Sequence, residues 1–343
     1  MIHIFEGDSA DQVWQMAESR LSNANGIQAQ RSRIGATKEL LHVGFAIQDP
    51  RQRWVISRDP AMNPAFAIAE VVWILSGRND SAFLNFWNSK LPEYAGHRSA
   101  YHGAYGFRLR HHFKVDQLER AYHTLKNNPD SRQVVLQIWD TKADLPDEKG
   151  LPVAEDIPCN VCSLLKVRNG KLEWLQIMRS NDLYRGLPYN FVQFTYLQEI
   201  IAGWLGLELG SYNQLSDSLH IYQKDTPRFH AINSIAPEKN ADMLDLTKNE
   251  SDLVFADMSR HIETFSNKQL MRDELLALAS PVSLPQAYKN LLLVVAAESA
   301  RRRGWVEVIQ AVIKDCTNYA LVQAWQRWFN RCQGGQYPVP GAF

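Results

Sequence analysis

The sequence predicts an α+β chain, a mixed sheet with packed helices followed by a C-terminal helical appendage. Two observations carry this. The runs SRQVVLQIWD, VCSLLKV, KLEWLQIM and SLHIY are short, rich in apolar or β-branched residues, and separated by polar or glycine-containing turns, which is a strand pattern. From about Ser251 the period becomes helical, in SDLVFADMSRHIETF, in the run after Pro285, and from Trp305 to Cys332 with Trp325 and Trp328 at i, i+3. That change of period divides the chain into 1–245 and 246–343; no internal repeat or low-complexity tract marks the boundary.

In order along the chain, a strand-like start is followed by Ser9-x-x-Gln12, a capping box that opens an amphipathic helix fading near Asn23. The polar stretch from Asn23 to Gly35, with Arg31 and Arg33, reads as a loop. Pro64 then sits in a first helical turn, AFAIAEVVWILSG follows, and Gly77 supplies the C-terminal cap. Glu70 thus lies in an otherwise apolar helix, where a carboxylate is seldom buried without a role; a solvated helix face is the plainer alternative. Asn190 to Leu205 has helical length and an aromatic-rich face.

The 343 residues are 45% hydrophobic and 22% charged, which is ordinary globular usage with material for a sizeable core. Lysine plus arginine (37) balances aspartate plus glutamate (37), so no global field holds a polyanion and nucleic acid is not expected as a partner, despite the arginines and tryptophans. Any anionic ligand must be gripped locally. Four cysteines are too sparse for a disulfide framework, and MIHIFEGDSADQ lacks a secretory pattern, so a cytoplasmic setting is expected. The longest apolar run, Leu291 to Ala297, is too short to span a bilayer.

Cys159 follows a proline between probable strands, and Arg179 comes 20 residues later on what reads as a neighbouring strand. A guanidinium beside a thiol favours the thiolate, which is what a nucleophilic cysteine needs. Taken alone, the Cys-Asn pair reads better as simple core filling.

The ordered motifs IPCN, MRSND, GLPYNF and HIY, with AFAIAEVVWILSG, AYGFRLR and PDSRQVVLQIWD upstream, resemble the active-site motifs of the thymidylate synthase and pyrimidine nucleotide hydroxymethylase family over roughly residues 30 to 225. The resemblance implies a thymidylate-synthase-like sheet in 1–245 and a transferase that moves a one-carbon group from 5,10-methylenetetrahydrofolate to C5 of a pyrimidine nucleoside monophosphate. Cys159 would add to C6 of the ring. Glu70 would organise water and move protons, Tyr105 would help remove the C5 proton, and Asp182 would support the pocket. Asn190 would read the ring amide, since its amide both donates and accepts; this implies a preference for uracil. The phosphate would be held by Arg33, Arg179 and Ser180 of one subunit with Arg132 from the other, in a homodimer with composite sites. His220 and Tyr222 would bind the sugar hydroxyl.

The chain departs from the family pattern at Asn160 after the nucleophile, at Met178 before the strand arginine, at Gln133 after Arg132, and at Ser218 two residues before His220. SKLPEYAG occupies the place of a tryptophan-bearing segment that packs on the folate, and the helical appendage replaces a closing strand and apolar tail. The nucleotide half of the site is nearly whole and the folate half is altered. Keeping water from the ring intermediate is what makes the product methyl rather than hydroxymethyl, so hydroxymethylation is the favoured outcome. Three readings stand beside it. Trp325 or Trp328 could restore the seal and make the chain a thymidylate synthase, the chain could be an inactive nucleotide-binding homologue, or, more remotely, it could be a nucleic-acid protein.

Overall fold

The computed structural model describes residues 2–22, 29–32, 35–226, 228–232 and 234–334. Its strands are β1 (His3–Gly7), β2 (Ala29–Ser32), β3 (Gly35–Ile47), β4 (Arg58–Asp59), β5 (Val135–Gln137), β6 (Asn160–Arg168), β7 (Lys171–Met178), β8 (Asn181–Asp182), β9 (Glu208–Tyr222) and β10 (His230–Ala231). The main sheet runs β1-β3-β9-β7-β6-β5, with β2 joined to β3 and β8 to β9, while β4 and β10 pair separately. β1 with β3, β7 with β9 and β8 with β9 are parallel while the other pairs are antiparallel, so the sheet is mixed. The polar stretch 23–35 is not loop throughout, because Ala29–Ser32 pairs with β3 although its four side chains are exposed. A ladder needs only backbone groups.

One strand hides its phase. In β3 Leu40 is buried, His42 takes a left-handed φ of 57°, and thereafter Val43, Phe45 and Ile47 are buried. The ladder passes from Leu41↔Ser218 to Val43↔Ser216, skipping one residue on each strand. The alternation slips by one position and the two halves still bury the same face.

The helices are α1 (Ala10–Ser22), α2 (Pro64–Leu75), α3 (Ser81–Asn85), α4 (Pro92–Ala95), α5 (Tyr105–Phe107), α6 (Gln117–Asn127), α7 (Thr141–Asp144), α8 (Leu187–Leu205), α9 (Lys248–Ser266), α10 (Arg272–Ala279), α11 (Gln286–Arg302), α12 (Val306–Lys314) and α13 (Tyr319–Cys332). The Asn63 side chain caps α2 by accepting from the Phe66 N–H at 3.1 Å, Pro64 fits the first turn, and Gly77 follows with φ 66°. Every residue of α2 is buried except Glu70. The helix is enclosed because α8 packs on it from the sheet side and α9, α11 and α13 pack on it from the C-terminal stretch. α11 is apolar nearly all round from Leu291 to Ala297 and is correspondingly buried there.

Candidate functional site

Cys159 immediately precedes β6 and is half-buried. The Arg179 N–H donates to the Cys159 carbonyl at 2.9 Å, which continues the β6/β7 ladder and sets the two residues side by side. The Arg179 guanidinium grips the same loop, donating from Nε to the Pro158 carbonyl at 2.9 Å and from Nη2 to that of Ile157 at 3.1 Å, with the Trp139 ring centroid 5.3 Å away. The thiol is therefore held on a strand end whose shape the arginine fixes. Asn160 points the other way, into the sheet, where it is 0% exposed and accepts from Gln176.

Tyr105 comes from the turn that begins α5. Gly106 presses this turn onto α2 so closely that a Cβ there would lie 2.3 Å from the Ile74 carbonyl oxygen, which only glycine tolerates. Arg108 locks the turn with paired bonds of 2.6 and 2.8 Å to Asp144 and a bond of 2.9 Å to the Ile138 carbonyl. Tyr105 is thereby brought beside Glu70. Burial, with the negative charges of Cys159, Asp156 and Glu70 around it and Arg179 opposing, raises the Tyr105 hydroxyl well above the ordinary phenol range.

Burial also raises the Glu70 carboxyl, from 4.5 to about 7, with a hydrogen bond from Gln193 pulling against the shift. Its Oε2 is buried and has no protein partner. Gln193 in turn accepts from Asn190 Nδ2 at 3.0 Å, one helical turn earlier on α8. A relay thus runs from Asn190 through Gln193 to Glu70. With Gln193 donating to the carboxylate and accepting from Asn190, the outward side of the Asn190 amide keeps one donor and its acceptor oxygen.

Asp182 on β8 lies beside His220 on β9. Its Oδ1 accepts from the Tyr184 and Arg185 N–H groups, both at 2.8 Å, and its Oδ2 is buried without a protein partner, so burial raises this carboxyl. His220 and Tyr222 share a face, with ring centroids 5.3 Å apart. Cys159 and Asp182 both bear electrostatically on Tyr222, which links the strand end to the thiol. Ser180 is half-buried next to Arg179, and Ser218 donates to Glu39.

Cys159, Glu70, Tyr105, Arg179, Ser180, Asp182, Asn190, His220 and Tyr222 therefore gather on one side of the β6/β7 strand ends. Arg33 lies outside the described residues. Arg132 is exposed and stands apart: Leu165 donates to the Val134 carbonyl at 3.2 Å, so Arg132 belongs to the far end of β6. Leu165 is already roughly 20 Å along the strand from Cys159 at ~3.3 Å per residue, further than an arginine side chain reaches.

Sequence reasoning missed four contributors. Gln193 was legible, since it sits at i+3 from Asn190 on a helix. Asp156, three residues before Cys159, accepts from the Gly103 N–H at 2.8 Å. Arg185 lies between Tyr94 and Tyr222, its guanidinium 5.1 and 5.8 Å from their ring centroids; it donates to the Tyr94 hydroxyl and pairs with Asp225 at 2.6 Å. Arg108 acts only through the Tyr105 turn. No local pattern announces the last three, because their partners are distant in sequence. SKLPEYAG is exposed at Ser89, Lys90 and Glu93, and Gly96 (φ 86°) abuts Glu155, whose Oε2 a Cβ would meet at 2.2 Å.

The thymidylate synthase family model matches residues 50–276. The chain is 33% identical over 235 residues to a deoxyuridylate hydroxymethyltransferase of Bacillus phage SP01, covering 65% of this chain and 60% of that protein. It is 36% identical over 190 residues to a protein of the same name from Pseudomonas phage M6, covering 55% and 51% respectively. A putative thymidylate synthase of Methanothermobacter marburgensis is 30% identical over 223 residues, covering 63% of this chain and 91% of that one. The match thus spans little more than half the length of the two phage proteins.

Proposed function

The chain belongs to the thymidylate synthase family, and from this we propose that it transfers a one-carbon unit to C5 of deoxyuridylate and releases the 5-hydroxymethyl nucleotide. The observation that carries the reading is the convergence of a thiol, Cys159, and a carboxyl balanced near neutrality, Glu70, on the phenol of Tyr105, with the Asn190 amide tied to Glu70 through Gln193. An inactive nucleotide binder has no need of that set.

In this reading the Cys159 sulfur bonds to C6, and the ring electron pair moves to O4, where Asn190 Nδ2 donates to the developing enolate. Asn190 Oδ1 accepts from N3–H, which favours uracil. C5 then becomes a carbon nucleophile. Glu70, with comparable acid and base populations near pH 7, moves protons at the ring. Tyr105 stays a neutral phenol and helps remove the C5 proton by hydrogen bonding. Arg179 and Ser180 hold the phosphate, His220 and Tyr222 the sugar hydroxyl, and Asp182 supports them.

The cofactor is 5,10-methylenetetrahydrofolate, which supplies the one-carbon unit at the oxidation level of formaldehyde. The orphaned Oε2 of Glu70, able to give or take a proton near neutrality beside the thiol, suits such a donor. The segment Ser89–Gly96, with Tyr94 at the rim, stands where the family resemblance puts that donor.

Hydroxymethylation is favoured because this segment carries no tryptophan and is exposed at Ser89, Lys90 and Glu93, and because neither Trp325 nor Trp328 is available as a seal: Trp328 Nε1 donates to Glu298 at 2.9 Å, and Trp325 is buried against Phe329. Two further features support a homodimer. Arg132 stands too far from the Cys159 of its own chain, and one face of the sheet presents Val135, Leu164, Leu175, Ile177 and Leu215 in paired register. A reducing, cytoplasmic setting suits a reaction that needs the Cys159 thiol.

The test is incubation with methylenetetrahydrofolate and a panel of pyrimidine monophosphates, followed by mass measurement. A hydroxymethyl deoxyuridylate without dihydrofolate is the expected result. A methyl product with dihydrofolate in step makes the chain a thymidylate synthase, the reading that the archaeal relative's name favours; no product at all leaves only the binder.

A further inference from the structure

Asp156 has no assigned role, yet three features place its carboxylate beside the Tyr105 turn and the Cys159 loop. Its Oδ2 is anchored by the Gly103 N–H at 2.8 Å, two residues before Tyr105 in the same turn. A Cβ on Gly103 would lie 3.0 Å from both carboxylate oxygens, so the group lies flat on that glycine. Its charge reaches the Tyr105 hydroxyl together with those of Cys159 and Glu70. Asp156 itself is half-buried, and its exposed neighbour Glu155 meets Gly96 at the end of the segment Ser89–Gly96. A carboxylate has about four acceptor sites, more than the Gly103 N–H alone occupies.

We propose that Asp156 is the base that activates the water which captures the one-carbon unit, an inference that rests on the hydroxymethyl-transfer reading. At that stage the ring carries an exocyclic methylene at C5 and the Cys159 thioether at C6. The water oxygen bonds to the methylene carbon, the conjugated π pair moves to O4, and the water proton passes to Asp156. The enolate pair then returns to form C5=C6, the C6–S bond breaks, and Cys159 leaves as thiolate. Asp156 returns its proton to solvent. One water is consumed and nothing is oxidised or reduced.

The experiment compares the parent protein with Asp156→Asn and Asp156→Glu, using deoxyuridylate tritiated at C5, methylenetetrahydrofolate and added 2-mercaptoethanol, with calorimetric nucleotide binding alongside. A thiol attacks the same methylene without help from the carboxylate and leaves a thioether product. In Asp156→Asn the expected pattern is near-parental nucleotide binding and tritium release, hydroxymethyl product reduced at least about 100-fold, and thioether in its place. Asp156→Glu should recover part of the hydroxymethyl product, and the pH dependence of the product ratio should flatten on its acid side in the asparagine variant, while turnover keeps the acid limb that Glu70 sets. An unchanged product ratio and pH profile overturn the proposal; so does equal loss of tritium release and product in both variants, which marks an earlier or structural role. A parent protein that makes the methyl nucleotide refutes the underlying reading instead, and is told apart by its product.

Discussion

Replacing Glu70 with glutamine is expected to stabilise the protein while removing its activity, because the carboxylate is held where its charge is unwelcome. Burial raises this carboxyl from 4.5 to about 7. Below about pH 4.5 both folded and unfolded chains hold the proton, and the residue has no pH-linked cost. Between about 4.5 and 7 the unfolded chain releases a proton that the folded chain keeps, so stability falls as pH rises. Above 7 the loss is complete. The gap of about 2.5 pH units, at 1.36 kcal/mol each, amounts to up to about 3 kcal/mol. Glutamine has nearly the same shape and cannot ionise.

Urea unfolding of parent and Glu70→Gln at pH 4.5, 6, 7 and 8.5 reads this directly as a midpoint difference at constant slope. The variant should match the parent near pH 4.5 and exceed it by up to about 3 kcal/mol at pH 8.5, while turnover falls by about two decades or more. A stability difference independent of pH, or a variant less stable at pH 8.5, would show that Glu70 is not held in its neutral form by burial.

Three further outcomes are expected. Cys159→Ser should lose several orders of magnitude in turnover yet keep nucleotide binding by calorimetry, whereas Cys162→Ser should be mild; the reverse pattern would identify the other thiol. Mixing inactive Cys159→Ser with inactive Arg132→Ala chains should restore some activity through hybrid dimers, each with one intact site, and a fully active monomer in sedimentation would remove Arg132 from the site. Asn190→Asp should move base preference toward cytosine by about one to two decades, as unpaired polar groups cost roughly 1–3 kcal/mol; a parent that turns over only the cytidine nucleotide refutes this and points to Ser218, which donates to Glu39.

The site was legible in the sequence to the extent that its residues are carried by short elements with fixed spacing. The Pro64 start and Gly77 end of α2 gave Glu70 its helix, and the β6/β7 pair set Cys159 beside Arg179. What escaped depends on contacts between distant segments. Gly103 with Asp156, and Arg185 with Tyr94 and Asp225, join positions 40 or more residues apart, and no periodicity records such pairings. β3 escaped for a different reason: the left-handed His42 shifts its alternation by one, so that neither half is long enough to show a period of two by itself.

The central strands mislead in a more informative way, because their patterning is inverted. The inward side chains of β6, β7 and β9 include Asn160, Ser163, Gln176, Gln214 and Ser216, all buried, while Val135 is 48% and Leu215 41% exposed on the other side. The buried polar groups are tolerable because, apart from Asn160 Nδ2, they largely satisfy one another: Ser163 donates to Gln176 at 2.7 Å, Tyr212 to Gln214 at 2.8 Å, and Gln214 to Ser216 at 3.1 Å. Such a network holds the Cys159 end of the sheet in one arrangement, at the expense of the apolar burial an ordinary sheet would gain there. Leu164, Leu175 and Ile177, aligned with Val135 and Leu215, can recover that burial only if something covers the outer face. A second copy of the chain does so in the proposed homodimer, and the same contact would carry Arg132 to the site of its partner. Polar substitution of Leu215 should accordingly separate the dimer and abolish activity together while the monomer stays folded; a soluble monomer that keeps full turnover would break the link between the inverted sheet and the composite site.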